Sequence, residues 1–559
     1  MLNDEAEDER SDGAEAHTSA ETEATNAVPP FVLALDIGTS SVRAAFYDGL
    51  AREIRGTGAR IRRSFCTTAD GGAEDDAEES VSVVARVIDA ALARAPKPIT
   101  ADTKGVAVSC FWHSLVGVGE DGRALTPVLG WADTRASAAA GELRRLLDES
   151  TTHARTGCRF HASYWPAKLI WLYRQNPALT DTVRRWMSFG EFLALRLAGG
   201  GEFGVSERSV AGVTTASISM ASGTGLFNQR SCAWDATLLA DLQCLARLPL
   251  DIEQLPTVAE HNAVTYTLSD EYAARWPVLR GRAIFPAVAD GAANNIGAGC
   301  IAPQAIALMV ATSGAMRVMR EADAPCELPP ALWCYRADAK RVVVGGALSD
   351  GGGLREWMLR TMLFEADADA SVERELAAME PDAHGLTVLP FWAGERSTGW
   401  NEEARGGILG LTMHTRPSEI LRASMEAVAY RLAGVADALA AFAAPEAEIR
   451  ASGGALRRSP AWTQIVADVL GRPVKLLNIN EASSRGAVLL ALEALGEIKS
   501  IADVDAPSGD VYEPCPSHHA RYTEARTRQQ KFYELLINHP SDTSLNFTVS
   551  NSETESKEI

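Results

Sequence analysis

The chain has 559 residues, several times the roughly 100 to 200 residues of one usual domain, so at least two substantial domains are expected. Hydrophobic residues make up 46% and charged residues 23%, which is ordinary globular usage and excludes a fully disordered, collagen-like or coiled-coil chain. No window approaches the ~20 uninterrupted apolar residues of a membrane span, which predicts a soluble protein.

The formal net charge of −20 is concentrated at the two ends of the chain. Residues 1–30 carry nine acidic residues against Arg10, and residues 541–559 carry four against Lys557. Both segments are polar and poor in aromatic residues, so we expect disordered tails that cannot bury enough apolar area to offset ordering entropy. The milder charge of the middle leaves no basic face for a phosphate backbone, so nucleic acid is not expected as a partner.

The N-terminus is acidic and lacks a basic segment followed by an apolar one, so the cytoplasm is the expected compartment. The nine cysteines are scattered and never form a C-x-x-C pair. This usage is typical of reduced cysteines and suggests no zinc site.

Ordered sequence is expected to begin after Pro30. An apolar run at 31–35 is followed by a polar, glycine-containing turn at 36–41 and a second run at 42–47, which predicts strand, turn and strand. The same order returns at 305–319. The chain is therefore predicted to be a tandem of two similar domains.

Helical periods alternate with strand patterns in both parts of the chain. Apolar residues recur at steps of four and three over 421–442, and Pro445 is expected to stop that helix. Ser459 before Pro460 predicts a helix start, and Gly471 its end. With strands predicted at 342–348 and 474–477, the pattern indicates an α/β protein. We place the domain border between Cys300 and Gln304.

The two turns contain residues suited to binding phosphate. Gly38 allows close approach of the backbone, while Thr39 and Ser40 offer hydroxyl donors. Asp36 is a candidate Mg²⁺ ligand, and Arg43 could add positive charge. An Asp-x-Gly turn also joins hairpin strands without any ligand, so both interpretations stay open.

The matching turn of the second half favours the functional interpretation. Thr312, Ser313 and Gly314 repeat the hydroxyl-rich composition. Two such turns facing each other across a cleft could bind both ends of a triphosphate.

Two further segments are candidates for chemistry. Asp290 precedes a run of small residues, where it could cap a helix or, in a cleft, accept a proton from an attacking hydroxyl. Gly453, Gly454 and Ala455 follow a predicted strand, where a paired-glycine turn could pass under an adenine or simply interrupt the loop.

In their order and spacing, these segments resemble the FGGY carbohydrate kinases. The resemblance runs from about residue 31 to about residue 498 and includes a C-terminal signature at 406–411 through 419–426. It implies two ribonuclease-H-like domains of the actin and hexokinase type, which close over ATP, Mg²⁺ and a sugar or polyol. The implied units are a tail at 1–30, an N-terminal domain at 31–300, a C-terminal domain at 301–500 and an extension with a tail at 501–559.

Within the family, the likeness is greatest to the gluconokinases. It is carried by 113–116, 131–135, 155–157 through 166–169, 221–228, 345–352, 393–396 and 400–401, several of which are similar in pentulose kinases as well. The sequence departs from the family at Phe111-Trp112, where Gln-Met is frequent, and at Arg43, where lysine is common. The first departure alters the wall expected around the sugar.

The resemblance implies transfer of the ATP γ-phosphate to a sugar or sugar-acid hydroxyl, with D-gluconate as the expected acceptor. Asp290 would be the base, and Asp36 would hold Mg²⁺. The residues expected at the phosphates and adenosine are Gly38, Thr39, Ser40, Arg43, Thr312, Ser313, Gly314, Gly453, Gly454 and Ala455. The residues expected at the sugar are Trp112, His113, Trp131, Asp133, Arg135 and Asp290.

Gluconate carries a carboxylate that would favour a cation such as Arg135, Lys168 or Arg396, but all three occur in relatives that act on neutral sugars and so do not decide the acceptor. The alternatives are xylulose, another pentulose or a polyol as acceptor, and a sugar or nucleotide sensor without catalysis. Homodimers are common in the family.

Overall fold

The computed structural model describes residues 26–199, 215–323, 327–362 and 369–538. The predicted acidic tails therefore lie outside the described residues, apart from the short piece 26–30. Two large β-sheets, one in each half, organise the described part.

The first half is built on a sheet with the strand order β3 (Ala59–Arg62), β2 (Ser41–Tyr47), β1 (Phe31–Ile37) and β6 (Thr103–Cys110). Two short strands, β14 (Ala283–Ile284) and β15 (Val288–Ala289), add beyond β6. β1 pairs antiparallel with β2 and parallel with β6, and β1 is apolar enough to be buried on both faces. The strands of the first half are β1 Phe31–Ile37, β2 Ser41–Tyr47, β3 Ala59–Arg62, β4 Cys66–Thr67, β5 Ala73–Asp75, β6 Thr103–Cys110, β7 Val116–Val118, β8 Val128–Leu129, β9 Arg185–Met187, β10 Thr215–Ser217, β11 Phe227–Asn228, β12 Ala233–Trp234, β13 Thr257–Ala259, β14 Ala283–Ile284 and β15 Val288–Ala289.

A separate hydrophobic cluster forms in the chain inserted between β6 and β14, around Leu115, Trp165 and Leu238. The helices of the first half are Ala77–Arg94, Lys97–Ala101, Ser137–Leu146, Glu149–Thr156, Trp165–Gln175, Pro177–Thr180, Phe189–Ala198, Ile218–Ser222, Ala236–Cys244, Asp270–Arg275 and Asp290–Gly297, with 3₁₀ turns at Ile252–Gln254 and Pro277–Leu279.

The second half repeats the sheet in the order β18 (Trp333–Arg336), β19 (Arg341–Leu348), β17 (Gly314–Glu321), β16 (Ala305–Val310), β22 (Glu448–Ser452), β23 (Val474–Leu477) and β24 (Gly509–Tyr512). Here β16 pairs antiparallel with β17 and parallel with β22, as β1 does with β2 and β6. The strands are β16 Ala305–Val310, β17 Gly314–Glu321, β18 Trp333–Arg336, β19 Arg341–Leu348, β20 Thr387–Leu389, β21 Gly407–Leu409, β22 Glu448–Ser452, β23 Val474–Leu477 and β24 Gly509–Tyr512. The helices are Gly352–Thr361, Asp369–Ala378, Pro417–Leu439, Gly454–Arg458, Pro460–Leu470, Ala482–Leu495 and Pro516–Leu536, with a 3₁₀ turn at Ile501–Asp503.

The shared strand order confirms the predicted tandem of two ribonuclease-H-like units and the α/β class. The helix starting at Ser459 is also confirmed, because the Ser459 side chain accepts the Trp462 N–H and Gly471 ends the helix at a φ of +62°. The helix predicted over 421–442 ends at Leu439, before Pro445 is reached. The prediction of a paired-glycine turn at Gly453 and Gly454 is wrong in one respect, because a short helix begins at Gly454.

The helix Ala482–Leu495 joins the two halves. Its residues from Ala487 to Leu492 lie in the hydrophobic core of the first half, although the chain reaches them only after β23. The helix packs against Asp290–Gly297, and a Cβ on Gly297 or Gly486 would lie 1.8 Å from a carbonyl oxygen of the other helix. Only glycine at these two positions permits so close a crossing.

The extension beyond residue 500 is part of the second half. β24 pairs antiparallel with β23 at the edge of the sheet. The long helix Pro516–Leu536 buries Tyr522, Ala525 and Tyr533 against the second half. The sequence pattern beyond residue 500 gave no structural expectation for this segment.

Candidate active site

The two predicted turns lie between β1 and β2 and between β16 and β17. In the first, the Gly38 N–H donates to the Ser41 carbonyl at 3.0 Å, which closes the turn. Each turn carries a threonine and a serine whose hydroxyls donate no hydrogen bond to another described residue. These residues are at least partly exposed, and they are Thr39 and Ser40 in the first turn and Thr312 and Ser313 in the second. These donors are available to an oxygen-rich ligand such as a phosphate.

Carboxylates gather beside the first turn. Burial raises the pKa of Asp36 from its ordinary 3.8 to about 7, and the negative charges of Glu481 and Asp290 add to that effect. Acids that repel one another in a buried place favour a cation between them. Oxygen ligands of this kind suit Mg²⁺, so the residues present fit the ion expected at Asp36.

Asp290 is the first residue of the helix Asp290–Gly297, whose N-cap is Ala289. One carboxylate oxygen of Asp290 accepts the N–H of Gly291 at 2.7 Å. Burial raises the pKa of Asp290, and the positive charge of Arg317 opposes that rise. Asp290 is therefore not the N-cap residue of this helix, and the positive charge of Arg317 acts on its carboxylate.

Arg43 is engaged by acids and not directed freely at the turn. Its guanidinium forms ion pairs with Glu53 and, at 2.7 Å, with Glu481. Glu481 precedes the helix Ala482–Leu495, so this pair also connects the two halves.

Glycines pack closely around the second turn. A Cβ on Gly351 would lie 2.5 Å from Ser313, and one on Gly453 would lie 2.3 Å from the Val310 carbonyl. Gly453 has a φ of +106°, which side chains rarely adopt. Gly454 begins the short helix that follows, and Ala455 is buried against Gly352. The second turn and the predicted adenosine segment therefore lie side by side.

The helix that begins at Asp290 connects these regions. The Asn294 amide donates to the Ser452 hydroxyl at 3.4 Å, directly before Gly453. The Ser483 hydroxyl donates to the Asp290 carbonyl at 3.3 Å. The helix that begins at Asp290 thus contacts the second half at two places, Ser452 and Ser483.

Trp112 and His113 are buried at the junction of the two halves. The Trp112 indole donates to the Ser219 carbonyl, and its ring lies 4.8 Å from that of Tyr335, on β18. His113 Nδ1 donates to the Gly223 carbonyl at 2.6 Å, which leaves Nε2 as the acceptor. Burial and the charge of Arg396 hold the pKa of His113 well below its ordinary value, so the ring is neutral.

Arg396 and Trp131 lie next to His113. The Arg396 guanidinium lies 5.6 Å from the centroid of the Trp131 ring, and its Nη2 approaches His113 Nε2 at 3.5 Å. Lys168 is also buried nearby, where its ammonium donates to the carbonyls of His113 and Gly130. Lys168 is therefore occupied by backbone groups.

Asp133 and Arg135 bind each other. Arg135 donates to both Asp133 carboxylate oxygens, forms an ion pair with Glu74, and lies 4.5 Å from the Trp171 ring. Asp133 also accepts the Ala73 N–H. Among the described contacts none links this pair to Asp290, so the structure brings the other expected sugar residues together more closely than these two.

Sequence reasoning missed Arg317 and Glu481. Arg317 lies on β17, three residues after Gly314, and is 6% exposed. Arg317 stands out in the sequence as a charged residue within the apolar run 315–319, but the sequence does not show which face of the strand carries its side chain. Glu481 had no sequence signal, because its role comes from the packing of a helix across the two halves.

A second group of ligand-type residues, Asp382, His384 and Glu426, lies in the second half. Glu426 accepts from Arg422 at 2.8 Å and from the Tyr522 hydroxyl at 3.1 Å, and Asp382 is bound by Arg528. Their oxygens are already bound by cations and hydroxyls, as in a structural network.

Comparison with known proteins agrees with this geometry. Residues 31–297 match the N-terminal domain, and residues 309–495 the C-terminal domain, of the FGGY family of carbohydrate kinases. Gluconokinase from Bacillus licheniformis is 25% identical over 527 residues, covering 91% of this chain and 95% of that protein. Glycerol kinase from Trichlorobacter lovleyi is 30% identical over 487 residues, covering 83% and 90%. The crystal structure of ligand-bound xylulose kinase from Lactobacillus acidophilus superposes with a TM-score of 0.79 at 25% identity, covering 90% and 98%.

The chain belongs to the FGGY family of carbohydrate kinases. It is an ATP-dependent phosphotransferase whose acceptor is an alcohol group of a small-molecule sugar. Among the described helices, none combines the length and apolar character needed to cross a membrane.

Proposed function

We propose that the chain transfers the γ-phosphate of ATP to D-gluconate, giving 6-phosphogluconate. The observation that carries the proposal is the position of Asp290, an acid with a raised pKa between an acid-lined turn and two buried arginines. The similarity to a gluconokinase over nearly the whole chain supports the choice of acceptor.

In the proposed reaction, Asp290 accepts the proton of the acceptor hydroxyl. The hydroxyl oxygen forms a bond to the γ-phosphorus as the bond from that phosphorus to the ADP oxygen breaks. Burial of Asp290 suits a base, because it raises the proton affinity of the carboxylate. Positioning and electrostatic stabilisation supply most of the acceleration when the transition state is loose.

The phosphates would be bound by the hydroxyls and amides of the two turns. Thr39 and Ser40 come from the first half, and Thr312, Ser313 and Gly314 from the second. Gly453, Gly454 and Ala455 would pack under the adenosine, where the absence of larger side chains leaves the backbone open to close approach. Asp36 would hold Mg²⁺, which supplies neutralisation of phosphate charge when it is bound.

Trp112, His113 and Trp131 would form the sugar site together with Arg396. An indole face covers the apolar side of a sugar chain, and His113 Nε2 accepts from a sugar hydroxyl. Asp133 and Arg135 would support this wall from behind, through their mutual ion pair.

Xylulose or another pentulose is the second candidate acceptor. A xylulose kinase shares the fold with a TM-score of 0.79, and the segments around Lys168 and Arg396 are similar in pentulose kinases. A polyol such as glycerol follows, on the similarity to a glycerol kinase.

ATP-dependent ADP release against D-gluconate, D-xylulose, D-ribulose, glycerol, erythritol and L-fuculose tests the proposal. We expect turnover with gluconate at least tenfold above that with the other acceptors. Turnover with a ketose or a polyol in preference to gluconate would contradict the choice of acceptor and leave the kinase activity intact.

A further inference from the structure

Arg317 is a buried cation whose guanidinium is largely without a partner. Its side chain is 6% exposed, and both Nε and Nη1 are buried without a hydrogen-bond partner among the described residues. A buried guanidinium in this state is destabilising, because it has lost its hydration without gaining a hydrogen-bond partner. Such a cost is typical of a group kept for a ligand.

The strand that carries Arg317 directs it towards the other half. Met316 and Val318 lie in the hydrophobic core of the second half, whereas Met319 lies in the core of the first. Side chains alternate along a strand, so Arg317 shares the face of Met319. That face looks towards Trp112 and Asp290, which belong to the first half.

Its neighbours place Arg317 in the sugar site. A Cβ on Gly291 would lie 2.4 Å from the Trp112 ring and 3.3 Å from Arg317 Nε. Asp290 is the acid whose charge acts on Arg317, but the two form no ion pair within the described residues. The guanidinium therefore lies beside the predicted base and the predicted aromatic wall without being neutralised by direct contact.

Arg396 is a second buried cation of the site, and its Nη2 contacts His113 Nε2 at 3.5 Å. It is 8% exposed, and its Nε is buried without a described hydrogen-bond partner. Burial and the nearby charge of Arg396 lower the pKa of Arg317 to about 10. Two like charges that repel each other in a buried site are stabilised together by an anion that contacts both.

We propose that Arg317, together with Arg396, binds the carboxylate of a sugar-acid substrate, and that Arg317 makes the enzyme select sugar acids over neutral sugars. The inference rests on the proposed function, because it assigns the anionic end of the acceptor that Asp290 deprotonates. A planar carboxylate matches the fork of a guanidinium, and two guanidinium groups can bind both of its oxygens. Of the other two cations considered for this role, Lys168 gives two of its three donors to backbone carbonyls, and Arg135 is bound by two acids.

The test compares D-gluconate with D-glucitol, which has a hydroxymethyl group in place of the carboxylate. For Arg317→Met we expect kcat/KM with gluconate to fall about 30- to 1000-fold, mostly through KM, since a charge-assisted contact is lost. Turnover of glucitol should fall at least tenfold less than turnover of gluconate, because glucitol has no carboxylate for the guanidinium to bind. Arg317→Lys should recover part of the loss, because it restores the charge without the fork.

Arg320→Met is the matched control, since Arg320 lies on the same strand and contacts Phe442 outside the site. It should leave both substrates unaffected. An equal loss on gluconate and glucitol in Arg317→Lys and Arg317→Met, with ADP binding retained, would overturn the proposal and assign Arg317 to the transferring phosphate. If Arg317→Met does not fold, Arg317→Lys alone makes the same comparison.

A panel of other sugar acids separates this inference from the choice of gluconate. Wild-type turnover of D-galactonate, D-xylonate or D-glucuronate without turnover of gluconate would contradict the proposed function and support the carboxylate site. Turnover of neutral sugars alone would overturn both.

Discussion

The two halves repeat one strand order, yet they contribute opposite charge to the region between them. The first half brings acids, Asp36 and Asp290, whose pKa values are raised by burial. The second half brings arginines, Arg317 and Arg396, each with a buried nitrogen that has no described hydrogen-bond partner. The two halves therefore share a strand order but differ in the sign of the charge that they place between them.

The charges that do cross the junction are paired. Arg43 of the first half binds Glu481 of the second, so a cation on the acidic side is neutralised by an acid from the basic side. The charges left over are those beside the expected reacting groups. The repeat thus provides the frame, and charged residues that differ between the two halves, on strands, a helix and a loop, provide the chemistry.

Replacing Asp290, the acid between the two halves, should lower the activity more than any other substitution considered. Asp290→Asn keeps the size and the hydrogen bond to Gly291 but cannot accept the proton. We expect kcat to fall about 10²- to 10⁴-fold with ADP binding unchanged, measured by coupled assay and calorimetry. Activity within tenfold of the wild type would remove Asp290 from the role of base.

Asp36, near the end of β1 and beside the first turn, can be tested through the cation that it is expected to hold. Asp36→Asn removes one of the mutually repelling carboxylates near Glu481, so the site should attract Mg²⁺ less. We expect the Mg²⁺ concentration for half-maximal activity to rise about tenfold or more, by analogy with the loss of a ligand or its partner. Thr67→Ala, on the outer strand β4, is a surface control that should not change it.

The close crossing of the helices Asp290–Gly297 and Ala482–Leu495, which joins the two halves, can be tested at Gly486. Gly486→Ala places a Cβ 1.8 Å from the Ala293 carbonyl, and neither helix can move without disturbing a core. We expect a loss of about 3 kcal/mol in the free energy of unfolding, read by denaturant titration.

Gly434→Ala is the matched control, because its Cβ would meet only ordinary contacts at 3.8 Å in the helix Pro417–Leu439. It should stabilise the protein by about 0.5 to 1 kcal/mol, as alanine does in a helix interior. Equal effects of the two substitutions would contradict the close crossing.

A deeper acid of the first half predicts a pH dependence. Burial raises the pKa of Glu191 from its ordinary 4.5 to about 7, and no described cation pairs with it. The folded state then holds the proton more tightly than the unfolded state, so stability is lost as pH rises from about 4.5 to about 7. Glu191→Gln should therefore gain about 2 kcal/mol over the wild type at pH 8 relative to pH 5, in paired thermal melts. A constant difference across this range would show that Glu191 ionises normally.

Local patterns predicted the frame well. The strand–turn–strand units at 31–47 and 305–319 and the helix at Ser459 depend on alternation, glycine and caps, which are properties of neighbouring residues. The order of motifs then led to the family, which the domain matches confirm.

The pairing of charges could not be predicted from the same patterns. Arg43 and Arg317 look alike in sequence, since each follows a hydroxyl-rich turn. Arg43 forms ion pairs with two acids, whereas Arg317 forms none with a described residue. That difference is decided by Glu481, which arrives from a distant helix, and by the face of β17 that packs on the first half. Only the tertiary arrangement contains this information.

The helix Ala482–Leu495 also bears on how the chain acquires its structure during synthesis. Val488, Leu489 and Leu492 lie in the same core as Val32 and Leu33, at the opposite end of the chain. The N-terminal unit therefore cannot complete its interior until the ribosome has translated most of the second half. A fragment ending near residue 300 would leave an apolar groove over β1 and β6 exposed to water, and would depend on the missing helix, supplied in trans, to close it.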